Sequence, residues 1–226
     1  MSTSQEPLKI PPPSSEKNNS AVYSCRDRDN SLRYQIFKKY FLGWQDISAE
    51  QLPKGDYRRI NRSISNKNIE DHLLGKKTYA TYPVSPKTKV SRHTVIYITH
   101  GEISFLNRLM DGASDAGLYS NQMIPEYTGG LGYHLWLRHL NPIDVGTASV
   151  IGELILRFSK VEGEVFPSQD IRDENIINLP LGIDQKYRQK SYLFDAKLNP
   201  IEDWAAYLPT IKAITPQEAN YIIKAY

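Results

Sequence analysis

The sequence predicts an α/β or α+β domain, on three observations. Segments with helical spacing of apolar residues interleave with short runs rich in β-branched and aromatic side chains. No segment repeats at a fixed period, which argues against a solenoid or propeller. The chain has 226 residues, 40% of them apolar. That suffices for a buried core in one large domain or two intimately packed subdomains.

Residues 1–20, MSTSQEPLKIPPPSSEKNNS, are rich in Ser, Pro and Asn and poor in large apolar side chains, and they read as a disordered tail. From Ser31, SLRYQIFKKYFLGWQDIS places Leu32, Ile36, Tyr40 and Phe41 on one helical stripe, with Gly43 as a stop. The stretch QLPKGDYRRINRSISNKNIEDHLLGKK reads as a turn and then a short helix ended by Gly75. KTYATYPV and HTVIYIT read as strands joined by a polar connection, SPKTKVSR. A helix follows in EISFLNRLMDGASDAG, with Ile103, Leu106, Leu109 and Met110 apolar. A glycine turn then feeds the strand YHLWLRH. A further helix starts at Asp144 as N-cap and buries Val150, Leu154 and Phe158. EVFPSQ and NIINLPLG are short strand or loop pieces. The last helix is capped by Thr215, with Pro216 at its first position and Glu218 three residues after the cap.

Composition excludes several classes. No apolar run approaches the roughly 18 residues a membrane span needs. The N-terminus lacks a signal-peptide pattern, and a lone cysteine, Cys25, allows neither an internal disulfide nor a multi-cysteine metal site. A reducing, cytoplasmic setting is expected. Net charge is +3 with pI near 8.8, too mild to identify a nucleic-acid partner alone. Fifteen tyrosines suit either base stacking beside arginines or ordinary core edges. The five histidines show no zinc spacing with cysteine, and GGLG lacks the Gly-Lys-Ser/Thr of a phosphate-binding P-loop.

Two stretches carry chemistry. In IPEYTGGLGYHLWLRH, Gly129, Gly130 and Gly132 precede His134. Strand alternation puts His134, Trp136 and Arg138 on one face and Tyr133, Leu135 and Leu137 on the other. Either the glycines let a ligand approach the backbone, or this is a hairpin with a polar edge. The stretch KGDYRRINRSISNKN interleaves Arg58, Arg59 and Arg62 with Tyr57, as phosphate contacts or as a solvated turn.

From Phe37 onward the order of segments resembles the archaeo-eukaryotic primase superfamily, nearest to the primase-polymerases of TOTE conflict systems and CRISPR loci. HLLGKKTYATYPV is similar to the family's first strand region. EYTGGLGYHLWL resembles its acidic–Ser–glycine-rich–His–aromatic motif. EVFPSQ, NIINLPLG and LFDAKLNPIEDWAAYL resemble the segments that follow. The resemblance implies an α+β fold: an RRM-like antiparallel sheet with helices, packed against an N-terminal α/β subdomain. The implied bounds are 21–92 for the N-terminal unit and 93–226 for the RRM-like core. In active relatives the cleft between them binds a nucleoside triphosphate and two divalent metals, and the motif histidine, here His134, reaches the triphosphate. Thr128 stands where serine is frequent. By this resemblance Thr128, Gly129, Gly130, Gly132, His134 and Gln169 are nucleotide or nucleic-acid contacts, joined by Arg58, Arg59 and Arg62.

One departure decides the expected function. Active relatives carry an Asp-x-Asp pair on the strand before the first core helix, and here Tyr97 and Thr99 fall on that pair. Neutral hydroxyls are poor magnesium ligands, and two metals need several anionic oxygens. Glu164, or Glu162 two residues earlier, keeps the third acidic position, while Glu102 belongs to a helix start. No metal site and no cofactor are expected, with Mg or Mn relevant only to an active enzyme. The expected function is a catalytically inactive primase-polymerase-like accessory protein. It would bind nucleotide or nucleic acid, single-stranded or primer-template, in replication, mobile-element or antiviral settings. The alternatives are an active primase-polymerase using Glu102, Glu162 and Glu164, and a scaffold subunit bound to a protein partner.

Overall fold

The structure is a computed structural model describing residues 23–85, 87–99, 101–168 and 176–225, with side chains from residue 30. The expected tail and Gln169 lie outside the described residues.

The core unit begins at β4 (Val90–Ile98) and continues through α3 (Ile103–Asp115), β5 (Met123–Tyr127), β6 (Tyr133–Asp144), α4 (Val145–Ser159) and β7 (Glu164–Phe166). This is a βαββαβ sequence. Its antiparallel sheet has the order β7-β4-β6-β5, extended by β9 (Tyr192–Leu193) at the β5 edge. That is the split βαβ arrangement of RRM-like domains, as expected. One sheet face, with Ile96, Ile98, Leu135 and Leu137, packs on Leu109 and Met110 of α3 and Ile151 and Ile155 of α4. Ala219 and Ile222 of α6 (Pro216–Ala225) close the same cluster.

The opposite face carries Val95, Ile124, Trp136 and Leu193 and packs on the N-terminal unit. That unit holds α1 (Tyr23–Phe41), α2 (Asn66–Leu73) and a sheet of order β2-β1-β3-β8. Its strands are β1 (Ser48–Gln51), β2 (Tyr57–Ile60), β3 (Thr78–Thr81) and β8 (Ile177–Asn178). Phe37 and Phe41 are fully buried, worth roughly 1.5–3 kcal/mol each by area. Phe41 meets Trp136 edge-on at 5.3 Å, and Phe37 meets Trp204 of α5 (Trp204–Tyr207) at 6.0 Å. These aromatic contacts join the two units.

Caps behave as read from the sequence. Asp144 accepts from the Thr147 amide at 2.9 Å, and Thr215 and Glu218 form a reciprocal capping box. Three expectations are corrected. Leu32 is exposed rather than on the buried stripe, because it lies about 140° around the helix from Phe37, the stripe's true centre. The turn expected in KGDYRRINRSISNKN contains β2, which pairs antiparallel with β1 from Gln51↔Tyr57 to Ser48↔Ile60. The polar connection at 85–92 already contains the start of β4. β8, at residues 177–178, completes the N-terminal sheet by pairing with β3.

Candidate functional site

Strand register builds one row of side chains across the five-stranded sheet. Glu164 on β7 is paired with Tyr97 on β4. Tyr97 is paired with His134 on β6, and His134 with Glu126 on β5. Directly paired residues point to the same face, which here is the face turned toward the N-terminal unit. The Tyr97 and His134 rings lie 5.0 Å apart. His134 Nδ1 lies 2.9 Å from Glu126 Oε2, and the Trp136 indole N–H donates to the same oxygen at 2.6 Å. Glu126 is 1% exposed. A carboxylate so buried requires such partners, since desolvating an unpaired charge is costly.

Thr99 lies just past the end of β4, in a bend. Tyr97 is half-buried. Burial, then the charges of Glu164, Tyr187 and Asp184, hold its phenol above the usual tyrosine range. It therefore stays neutral at physiological pH and supplies no anionic oxygen.

The glycine turn has a structural cause of its own. Gly129 sits at φ +74°, and a Cβ there would stand 2.5 Å from the Gln189 carbonyl oxygen. A Cβ on Gly132 would overlap the Ile98 carbonyl oxygen. Thr128 is buried and ties the turn together: its hydroxyl donates to the Gly132 carbonyl at 3.0 Å and accepts from the Gly130 amide at 3.2 Å. Close backbone packing accounts for Gly129 and Gly132, and the Gly130 amide is already hydrogen-bonded.

A loop that the sequence reading passed over flanks this turn. Asp184 caps it by accepting from the Lys186 and Tyr187 amides, both at 2.9 Å. Gln51 of β1 donates to the other Asp184 oxygen at 2.9 Å. The loop thereby exposes Lys186, Tyr187, Arg188 and Lys190. Tyr187 lies against Gly130, and the Lys186 stem against Gly55 in the β1–β2 turn. Beside it Tyr57 donates to Asn178 at 2.9 Å. Burial and the Asp184 charge push the Tyr57 phenol up to about 12. The signal in the sequence was DQKYRQK, a charge run with a central tyrosine.

Arg58 and Arg59 lie on β2 and Arg62 just after it. Arg58 is exposed and ion-paired with Glu50 at 2.7 Å. Arg59 donates to Asn61 at 3.1 Å and lies over the Tyr82 ring at 5.9 Å. Arg62 is exposed. Glu102, Glu162 and Glu164 are all exposed, and of the three only Glu164 is paired with a residue of the row. Among the described residues no group of three His, Cys, Asp or Glu is placed to hold a metal. The donors of the row, Glu164 beside a neutral tyrosine and a Glu126 whose oxygen already holds His134 and Trp136, do not fit a pair of divalent ions. No helix among the described residues is long and apolar enough to cross a membrane.

The chain is similar to the AEP domain of the cyanophage S-2L primase-polymerase, with 13% identity and a TM-score of 0.49 over 82% of this chain and 98% of that one. It is also similar to the polymerase domain of Mycobacterium tuberculosis ligase D in complex with DNA, with 11% identity and a TM-score of 0.38 over 87% and 86%. No curated protein sequence matches. The family model of the TOTE conflict system archaeo-eukaryotic primase domain matches residues 37–222, most of the chain. This protein belongs to that archaeo-eukaryotic primase family of TOTE conflict systems.

Proposed function

We propose that this domain binds a nucleic-acid strand or nucleotide across the row Glu164–Tyr97–His134, and that it does not polymerise nucleotides. The observation that carries this reading is Tyr97, a neutral aromatic residue registered between Glu164 and His134 where active relatives need an anionic ligand. Exposed Lys186, Arg188 and Lys190 beside the glycine turn support a phosphate-bearing ligand. Exposed Tyr187 in the same loop offers a ring face for stacking. The polymerase domain of Mycobacterium tuberculosis ligase D, to which the chain is similar, was solved in complex with DNA. In this reading the protein is an accessory factor of its conflict system.

Two assays on one preparation test the proposal. Binding of a labelled single strand in chelator is expected to fall steeply as salt rises. Primer extension with Mg or Mn is expected to give no product. Metal-dependent synthesis abolished by Glu164→Ala would overturn the loss of catalysis. Absence of any affinity for strands or nucleotides, with a stable protein partner instead, would favour a scaffold.

A further inference from the structure

We propose that Glu126 is a positioning residue: it fixes His134 as the Nδ1–H tautomer and leaves Nε2 as the ring atom offered to a ligand. An indole N–H only donates, so the Glu126 oxygen that takes the Trp136 proton is an acceptor. The same oxygen lies 2.9 Å from His134 Nδ1. A carboxylate oxygen has lone pairs for both, so the proton of that contact sits on Nδ1. The hydrogen bond described for the His134 ring is made at Nδ1. The ring is held from two sides, by Tyr97 at 5.0 Å and by the Trp136 edge at 5.8 Å.

His72 shows the opposite arrangement. Its Nδ1 accepts from the Tyr79 amide at 3.1 Å, so its proton sits on Nε2 and points to the Pro180 carbonyl at 2.9 Å. One chain therefore holds two buried histidines in two tautomers, and the partner at Nδ1, an acceptor for His134 and a donor for His72, decides which.

The consequence for binding rests on the proposed ligand site. A neutral His134 presents a lone pair at Nε2, which repels phosphate oxygens. Only the doubly protonated ring donates there, with the Glu126 charge behind it. The titratable groups facing the ring are Glu126 from β5 and Tyr97 from β4, with Glu164 one strand beyond.

The test is a long-range proton–nitrogen NMR spectrum of the full chain labelled at histidine, with His134→Asn for assignment. His134 is expected to carry its proton on Nδ1 and His72 on Nε2. A neutral His134 protonated on Nε2 overturns the positioning role, as do spectra in which no histidine carries its proton on Nδ1. The second readout is ATP binding in chelator, for wild type and Glu126→Gln. Loss of the orienting carboxylate is expected to weaken binding about tenfold. Identical affinities overturn the proposal. Wild-type protein that binds no ATP overturns the proposed ligand site and leaves the decision on Glu126 to the tautomer.

Discussion

His93→Phe tests how this fold carries its buried histidines. His93 on β4 is 1% exposed and meets Trp136 edge-on at 5.8 Å, with neither ring nitrogen hydrogen-bonded. Burial, and then neighbouring His139, push its pKa down to about 3. The Tyr40 carbonyl offers a weak opposing attraction without reaching hydrogen-bond geometry. Burial likewise lowers His72 and His139 to about 4. An unfolded histidine titrates near 6.5. Above that pH both states are neutral and the three residues add no pH dependence. Between about 6.5 and 4 the unfolded chain binds protons that the native core refuses, so stability is lost as pH falls. Each histidine contributes about 1.4 kcal/mol per pH unit in that window, and three contribute about 4 kcal/mol per unit. His93→Phe removes one of the three protons, leaving about 3 kcal/mol per unit. At pH 7 it also removes an unpaired polar edge worth about 1–3 kcal/mol, opposed by the bulk of a larger ring. Urea unfolding at pH 7, 6 and 5 measures both effects. Equal pH slopes for variant and wild type would refute the reasoning. So would a loss of more than about 3 kcal/mol at pH 7, which would mean that His93 has a strong polar partner.

Three further outcomes follow from the site. Gly132→Ala drives a methyl group into the Ile98 carbonyl oxygen and is expected to cost about 1–3 kcal/mol in thermal unfolding; unchanged stability would contradict the close approach. Tyr97→Asp combined with Thr99→Asp adds two carboxylates near Glu164 and is expected to create Mn binding by calorimetry, absent from wild type. Equal Mn binding by both proteins would sink the account of Tyr97 as the lost ligand. Replacing Lys186, Arg188 and Lys190 with alanine is expected to reduce the slope of log affinity against log salt for a single strand by about 2. An unaltered slope would place the strand elsewhere.

What the sequence made legible was local. Alternation in YHLWLRH placed Trp136 and Leu135 on opposite faces, and both are buried in opposite cores, because a strand's period of two survives any tertiary setting. The caps at Asp144 and Thr215 were legible for the same reason, since a cap is decided within four residues. β2 was not, because YRRI has neither alternation nor apolar weight. It is a strand by virtue of its pairing with β1 across the Pro53–Gly55 turn. Tyr97 was recognisable as a substitution only against a family pattern. Its neighbours Glu164, Tyr187 and Asp184 come from β7 and a distant loop that the chain does not announce.

Glu126 marks the limit of such reading. It opens the quoted motif, yet spacing alone gave it no role, because eight residues and a turn separate it from His134. Register closes that gap. Thr128 and the glycines set a turn of fixed length, and that length sets Glu126 opposite His134 rather than one residue to either side. A slip of one residue would send the Glu126 carboxylate into the apolar face of Leu135 and Leu137, where no donor waits for it. The glycines therefore serve the histidine after all, by fixing the hairpin register that brings Glu126 to its imidazole.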